Sequence, residues 1–329
     1  MGAKIPAAVA ESELSLELNK HLKRVRQGKV RDTYEIPCED GLLVVTTDRI
    51  SIFDFVLNTV VHLKGVVLNL LSVFWLTEVI DVKNHLVAWG NQIDVFLPPE
   101  LGGNRELWAR AVVVAKLDML PIEAVVRGYL TGSGLKSYQK DGTVCGIRLP
   151  PGLHDGSKLP EPMFTPTTKA EQGHDVHLSG AKVERDHPWL AETAIGVYFA
   201  GSQYAWRHGI ILADTKFEFG GRILGDEVLT PDSSRFWLVG DYIIAQENKK
   251  SPQGWDKQPV REWGKHAKLP DGSEINISSL EPESEEDVAK VHSLEVPEQV
   301  LRATKERYLA VFEMLTDLSV DQYLDSLIK

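Results

Sequence analysis

The sequence predicts an α+β fold in which strands and helices are partly segregated. Three observations predict it. Apolar, β-branched runs crowd the first hundred or so of the 329 residues, as in Gly41 to Thr47 (GLLVVTT). Amphipathic helical periodicity is concentrated later, around Leu190 to His208 and Pro297 to Ser319. Between those helices Ile210 to Phe219 (IILADTKFEF) changes to strict alternation in its second half, the signature of a strand. The length allows two domains, or one domain with large insertions.

In chain order, Asn58 to Val67 is a second strand candidate after Gly41 to Thr47. Leu68 to Ile80 predicts a helix, because Leu71, Trp75 and Val79 fall on one face at fourfold spacing. Arg110 to Leu117 (RAVVVAKL) reads as a buried strand, and Pro121 punctuates a short link into another strand at Ile122 to Arg127. Residues 141–188 are rich in Pro, Gly, Asp and His with weak periodicity, so they read as a long loop of the kind that carries function or disorder. The helix at 190–208 carries Ala194, Tyr198, Gly201 and Ala205 on a small-residue face. Residues 250–294 are again polar, and Pro297 opens a last helix with Leu301, Tyr308, Phe312 and Leu315 on its inner stripe.

Composition excludes several functions. With 43% hydrophobic and 25% charged residues a sizeable core is expected. A formal net charge of -11 argues against a nucleic-acid binder, since a phosphate backbone needs a basic surface, yet leaves room for a few cations in one cleft. Cys38 and Cys145 are the only two cysteines and lie far apart, which argues against a disulfide framework or a cysteine metal site and for an intracellular chain. The N-terminus lacks a signal-peptide core, and Pro6 follows the initial Met-Gly where a myristoylation signal wants Ser or Thr. The most apolar stretch, Val66 to Ile80, is too short and too interrupted to span a bilayer, so a soluble protein with no membrane partner is expected.

The common nucleotide signatures are missing: there is no Walker-type phosphate loop, no G-x-G-x-x-G after a strand and no H-E-x-x-H. Four other segments carry chemistry. Gly28-Lys29-Val30-Arg31 places alternating cations after a glycine, which suits a phosphate cradle; the alternative is a solvated hairpin with two ordinary surface cations. Asp214-Thr215-Lys216-Phe217-Glu218 puts three ionisable groups on one face of an otherwise apolar strand, and Gly225-Asp226-Glu227 follows. Such groups are costly to bury unless paired or bound. Glu218 and Asp226 are therefore candidate Mg²⁺ ligands and Lys216 a candidate for phosphate or carboxylate. The alternative is a salt-bridged face turned to water. In Glu123 to Gly134 (EAVVRGYLTGSG), Arg127 leaves a buried strand and Ser133 sits in a Gly-Ser-Gly turn, a donor set for an anion or a purely structural turn. Thr230 to Trp237 (TPDSSRFW) brings Asp232 and Arg235 close behind the carboxylate strand, or forms a turn capped by Asp232. The tract Phe164 to Asp175 has the look of a loop that closes over substrate, or of a plain surface loop.

Taken together these segments resemble the SAICAR synthetase family. The matching tracts are GKVRDTYE (28–35), TTDRISIFDFVL (46–57), KLDMLPIEAVVRGYLTGSG (116–134), FTPTTKAEQGHD (164–175), ILADTKFEFG (211–220) and LGDEVLTPDSSRFW (224–237), collinear with the family from about residue 20 to 325. The resemblance implies an antiparallel, kinase-like N-terminal lobe over residues 1–117 and a larger α+β C-terminal lobe with terminal helices over 118–329, with ATP in the cleft between them. It implies that Gly28, Lys29 and Arg31 belong to a glycine-rich loop over the phosphates, that Asp118 and Met119 form the hinge to adenine with Glu123 nearby, and that Lys169 and Glu171 lie near the nucleotide. Glu218 and Asp226 would hold Mg²⁺. Arg127, Ser133 and Arg235 would bind the phosphoribosyl-imidazole carboxylate, while Asp48, Arg49, Ser51 and Asp54 match a segment lining the same cleft. Lys216, Arg235 and Asp232 are carried over as catalytic.

The implied reaction joins L-aspartate to the carboxylate of carboxyaminoimidazole ribotide at the expense of ATP, in the cytoplasm, by a monomer or homodimer. One departure stands out: similar sequences carry E-x-G-x-H-D and then Asn, whereas here the tract is one residue shorter and has His177, which leaves His174 and Asp175 without a firm assignment. Two other readings are a small-molecule kinase, which would release ADP without aspartate, and a catalytically silent nucleotide-binding scaffold, which would be favoured had Lys216, Glu218 or Asp226 been replaced.

Overall fold

The computed structural model describes residues 4–37, 40–169, 178 and 180–328. After a short turn of helix, α1 (Ala7–Ala10), helix α2 (Glu13–His21) starts at a reciprocal capping box between Ser12 and Ser15 and ends in Lys20 and His21, which complement its dipole. Strands β1 (Arg24–Gln27), β2 (Arg31–Glu35) and β3 (Gly41–Thr46) follow. Next come a hairpin of β4 (Arg49–Ile52) and β5 (Phe55–Val60), helix α3 (Lys64–Phe74), β6 (Leu86–Trp89), helix α4 (Arg105–Arg110) and β7 (Ala111–Ala115).

The first sheet has the order β1-β2-β3-β7-β6 and is antiparallel throughout. Its residues alternate as a half-buried sheet requires. Tyr34, Leu43, Val45 and Val113 point into a core with Leu14 and Leu18 of α2 and Leu107 of α4, while Arg31, Thr33, Leu42, Val44 and Val112 face a cleft.

Asn58 to Val67 was expected to be one strand, but β5 ends at Val60 and α3 begins at Lys64. The reason is a cap that periodicity cannot show: the Asp48 carboxylate accepts from the Gly65 amide at 2.8 Å and fixes the helix start. The helix predicted to run to Ile80 keeps Leu71 and Trp75 buried, then relaxes into a π-turn over Trp75–Val79.

The second sheet is built from β8 (Ile122–Leu130), β11 (Ser157–Phe164), β12 (Thr167–Thr168), β13 (Ile210–Gly220), β14 (Ile223–Gly225) and β15 (Ser234–Leu238). Helix α5 (Gly132–Asp141) and a small hairpin of β9 (Thr143–Val144) and β10 (Ile147–Arg148) intervene. β8 is buried along its whole length and pairs with β13 in register Asp214↔Arg127 and Lys216↔Val125. The region 141–188, expected to be a loop, thus holds the eight-residue β11. Pro160 and Pro162 mask it in the sequence; it is an edge strand that pairs only with β8, with a register break between Lys158 and Met163, where missing amides are tolerated.

Helix α6 (Gly180–Asp186) leads into α7 (Leu190–Arg207), which lays Ala194, Tyr198, Gly201 and Ala205 on the second sheet as its small-residue face predicts. Helix α8 (Val239–Glu247) follows β15, and α9 (Gln258–Lys265), a β16–β17 hairpin (Ala267–Lys268 with Glu274–Ile275) and α10 (Glu285–His292) occupy the stretch 250–294 read as polar. Helices α11 (Glu298–Thr316) and α12 (Val320–Leu327) close the chain, with Tyr308, Phe312 and Leu315 buried.

All strands of the first sheet precede residue 117 and all strands of the second follow residue 118. Helix α3 crosses that division, packing Val67, Leu70 and Leu71 into the core of the second sheet with α11, and Val260 of α9 joins Ile50 and Phe55 in a third core. No helix among the described residues is long and apolar enough to cross a membrane.

Candidate active site

A cleft of about 1150 Å³ lies between the two sheets, large enough for two or more small ligands. Its upper edge is the turn between β1 and β2. The Gly28 amide donates to the Arg31 carbonyl at 2.7 Å, so tightly that a Cβ on Gly28 would lie 2.8 Å from that oxygen. Beneath the turn Arg49 donates to the Gly28 and Lys29 carbonyls at 3.0 and 3.2 Å while its guanidinium pairs with buried Asp32 at 2.5 Å. Lys29 lies in the turn and reaches Asp54 at 2.6 Å, and both line the cleft with Ser51.

The floor is β13. Its alternation presents Asp214, Lys216 and Glu218 to the cleft, as their spacing predicts, and each meets an opposite charge. Asp214 accepts from Arg127 at 2.7 Å and also pairs with Arg235; Lys216 reaches Glu123 at 2.7 Å; Glu218 pairs with Lys169. The tight β13–β14 hairpin sets Glu218 opposite Gly225 and so brings Asp226 beside it, at a left-handed φ of 59°. Arg31 extends from the opposite sheet to Asp226 at 2.8 Å and Glu227 at 3.4 Å. Basic groups of the 28–31 segment and acidic groups of the 214–226 segment therefore converge.

Burial, and then the charge of Asp226, push the Glu218 carboxyl up to about 7. Burial also works against Asp226, but Arg31 and then Lys169 outweigh it and hold that carboxyl below its usual range. Burial pulls Lys216 down, yet Glu123 and Glu218 more than compensate, so its ammonium is held above the ordinary lysine value. Two crowded carboxylates, one of them reluctant to ionise, are what a divalent cation relieves. Glu218 and Asp226 fit Mg²⁺, which commonly takes one or two carboxylates plus phosphate oxygens. No group of three or more His, Cys, Asp or Glu suited to a metal occurs among the described residues, so two carboxylates are the set on offer.

Farther along, Arg127 is buried and donates to Ser133 at 2.9 Å and Thr165 at 3.1 Å. Ser133 is exposed on the first turn of α5. Gly132 precedes it at φ 56°, where a side chain would meet the Arg235 guanidinium.

Several assignments change. Asp48 does not line the cleft: Arg110 grips it at 2.7 and 2.9 Å and Gly65 takes its remaining capacity, so it holds α3 to the first sheet. Arg49 is likewise a support of the glycine turn rather than a cleft residue. Asp118 is exposed and outside the cleft lining, whereas Leu117 and Met119 on either side line it. Asp232 lies at the cleft wall with its oxygens taken by Lys64 at 2.8 Å and Tyr308 at 2.5 Å, which makes it a holding group between α3 and α11. Glu171, His174, Asp175, His177 and Cys38 lie outside the described residues. Sequence reasoning missed Lys64, His85 and Lys257, which carry no motif of their own, and gave Glu227 no role although it lies in a quoted tract; each is brought in by pairing across elements.

Comparison with known proteins agrees. The family model described as SAICAR synthetase matches residues 24–274. A phosphoribosylaminoimidazole-succinocarboxamide synthase of Thermodesulfovibrio yellowstonii is 44% identical over 313 residues, covering 92% of this chain and 98% of that protein. One from Schizosaccharomyces pombe is 39% identical over 318 residues, covering 92% and 97%. Among solved structures, a SAICAR synthase from Saccharomyces cerevisiae complexed with SAICAR superimposes with a TM-score of 0.73 at 36% identity, covering 91% of this chain and 96% of that one. A SAICAR synthetase in complex with ADP shares the fold, with a TM-score of 0.57 at 23% identity, covering 91% and 98%. These relatives make the chain a ligase. The chain belongs to the SAICAR synthetase family.

Proposed function

We propose that this chain ligates L-aspartate to the carboxylate of carboxyaminoimidazole ribotide, converting ATP to ADP and phosphate, in the cytoplasmic synthesis of purines. The observation that carries the reading is the meeting of Arg31 from the first sheet with Asp226 of the β13–β14 hairpin, beside Glu218 and Lys216.

A carboxylate does not condense with an amine, because an oxide is too poor a leaving group. The carboxylate oxygen of the ribotide attacks the γ-phosphorus of ATP, ADP departs, and an acyl phosphate results. The amine of aspartate then attacks the acyl carbon, the C–O bond to phosphate breaks, and the nitrogen sheds a proton. Such steps are governed by positioning and electrostatics and need no protein nucleophile. Lys29 and Arg31 on the glycine turn and Leu117 and Met119 line the cleft, and in this reading the two cations serve the nucleotide phosphates and the two apolar side chains the base. Lys216, fixed by Glu123, opposes charge on the transferring oxygens. Arg127 and Arg235, locked by their shared partner Asp214, present a planar donor pair beside Ser133 for the ribotide. Glu218 and Asp226 would hold Mg²⁺, which when bound neutralises phosphate charge.

The deciding experiment measures ADP and phosphate release with carboxyaminoimidazole ribotide, with and without L-aspartate. Release that requires aspartate is expected. Release without it, leaving a stable phosphorylated product, would instead mark a kinase.

A further inference from the structure

Three successive carbonyls of the glycine turn are taken by residues just after β3. Arg49 donates to those of Gly28 and Lys29 at 3.0 and 3.2 Å, and the amide and hydroxyl of Thr47 both donate to that of Val30 at 2.9 Å. In a trans peptide the carbonyl of one residue and the amide of the next point in opposite directions. Gly28, Lys29 and Val30 line the cleft and Arg49 does not, so the Lys29 and Val30 amides are turned to the cleft side. Neither amide meets an acceptor among the described residues. Two successive amides held this way make a concave donor pair for an anion.

What holds Arg49 in place is a chain of alternating charge that leads away from the cleft. Its guanidinium pairs with Asp32, and the two side chains are only 3% and 1% exposed. Asp32 has Arg24 behind it at 3.8 Å, and Arg24 forks onto Glu11 at 2.5 and 3.0 Å. Glu11 lies in the N-terminal segment just before α2, and Gln27 grips the same segment through the Ala10 carbonyl at 2.7 Å. Arg49 and Arg24 balance Asp32 and Glu11, so removing one member leaves a charge unmatched where water compensates it poorly. Neither Arg24 nor Glu11 lines the cleft.

We propose that Arg49 is a positioning residue for the nucleotide phosphates and that the Asp32–Arg24–Glu11 chain behind it sets its aim, which makes the N-terminal segment a brace of the phosphate turn. The proposal rests on the ligase reading above and adds to it residues that never touch substrate. Arg49 fixes two peptide planes at once because its planar fork reaches a carboxylate and two carbonyls together, which the compact ammonium of a lysine does not. A carbonyl released from Arg49 is free to swing toward the cleft, where its oxygen repels the phosphate oxygens that an amide attracts.

The test compares the wild type with Arg49→Lys, Arg24→Gln and Glu11→Gln by calorimetric titration of ATP, ADP and AMP in the presence of Mg²⁺. The three nucleotides share base, ribose and first phosphate, so their differences report on the outer phosphates. Arg49→Lys is expected to weaken ATP and ADP about tenfold, the scale of losing one or two hydrogen bonds. Arg24→Gln and Glu11→Gln should weaken them about threefold, the scale of a partly exposed ion pair, with AMP unchanged in all three. In turnover assays KM for ATP should rise more than KM for the ribotide or for aspartate. An unchanged ratio of ATP to AMP affinity overturns the proposal, and so does equal weakening of ATP and AMP, which a general loosening of the first sheet would give. An effect at Arg49 with none at Arg24 or Glu11 overturns the brace. Arg24 and Glu11 are partly exposed, so their variants decide the matter if Arg49→Lys does not fold. A wild-type protein that releases no ADP in an aspartate-dependent way removes the ligase reading, while the nucleotide titrations still judge Arg49.

Discussion

Arg31 and Asp226 are 195 positions apart in the chain and meet at 2.8 Å across the cleft, tying the glycine turn of one sheet to the carboxylate hairpin of the other. In a partly enclosed site this pair does more than bridge lobes: it keeps Asp226 ionised against its burial and prevents Arg31 from folding away from the nucleotide. Arg31→Met is expected to lower kcat/KM by about 100-fold, the scale of losing one preorganised charge, while leaving the urea midpoint nearly unchanged. A variant of near-normal activity would remove Arg31 from the phosphate site.

Glu218→Ala should lower turnover by at least about 1000-fold with little effect on folding, because its side chain serves the cleft rather than a core. Its ion-pair partner Lys169 is partly exposed and can turn to water. Circular dichroism checks the folding and ADP release checks the activity; near-normal turnover would withdraw the metal assignment.

The raised carboxyl of Glu218 makes cation binding sensitive to pH. Its usual value of 4.5 is shifted to about 7 by burial and by Asp226, so below about 7 a proton occupies the site that the cation needs. Mg²⁺ or Mn²⁺ affinity should fall about tenfold per pH unit from 7 toward 5.5, with one proton released per ion bound. Without cation the sign for stability is the opposite of the usual carboxylate. Between about 4.5 and about 7 the folded chain retains a proton that the unfolded chain loses, so stability from this group declines as pH rises through that window. Calorimetry in two buffers of different ionisation enthalpy measures the proton count; a pH-independent affinity would place the cation elsewhere.

Lys64 is completely buried and faces Asp232, which Tyr308 also holds. Lys64→Met leaves that carboxylate beside a more distant Lys257, so we expect a loss of about 3–5 kcal/mol in unfolding free energy, read as a lower denaturant midpoint. A loss below about 1 kcal/mol would show that Lys257 takes over as counter-ion.

Gly132→Ala combines two penalties: a left-handed φ of 56° and a methyl group driven against the Arg235 guanidinium. The expected result is a rise of about tenfold in KM for the ribotide with KM for ATP unchanged, since displacing Arg235 by even part of an ångström spoils its donor geometry.

Much of the site was legible because the relevant signal is local. The alternation of Asp214, Lys216 and Glu218 along β13 needs only the two-residue repeat of a strand, and the glycine turn before Arg31 needs only the absence of a Cβ. The strand β11 was hidden because Pro160 and Pro162 read as breakers, while an edge position makes them harmless. Asp48 and Arg49 were misplaced for a related reason. A charged residue in a matching tract can face a ligand or brace the neighbour that does, and only the contacts with Arg110 and Asp32 separate the two.

What the sequence by itself determined is the α+β class, the buried strands, and the residue types gathered for phosphate and metal chemistry, because side-chain period and local chain stiffness depend on neighbours a few positions away. Tertiary structure alone decided which charges meet. Arg31 finds Asp226, Lys64 finds Asp232, and Lys257 stands 4.0 Å from that same Asp232, because such pairings are fixed by how two sheets and the helices α3, α9 and α11 pack, and no short-range pattern in the chain encodes that distance.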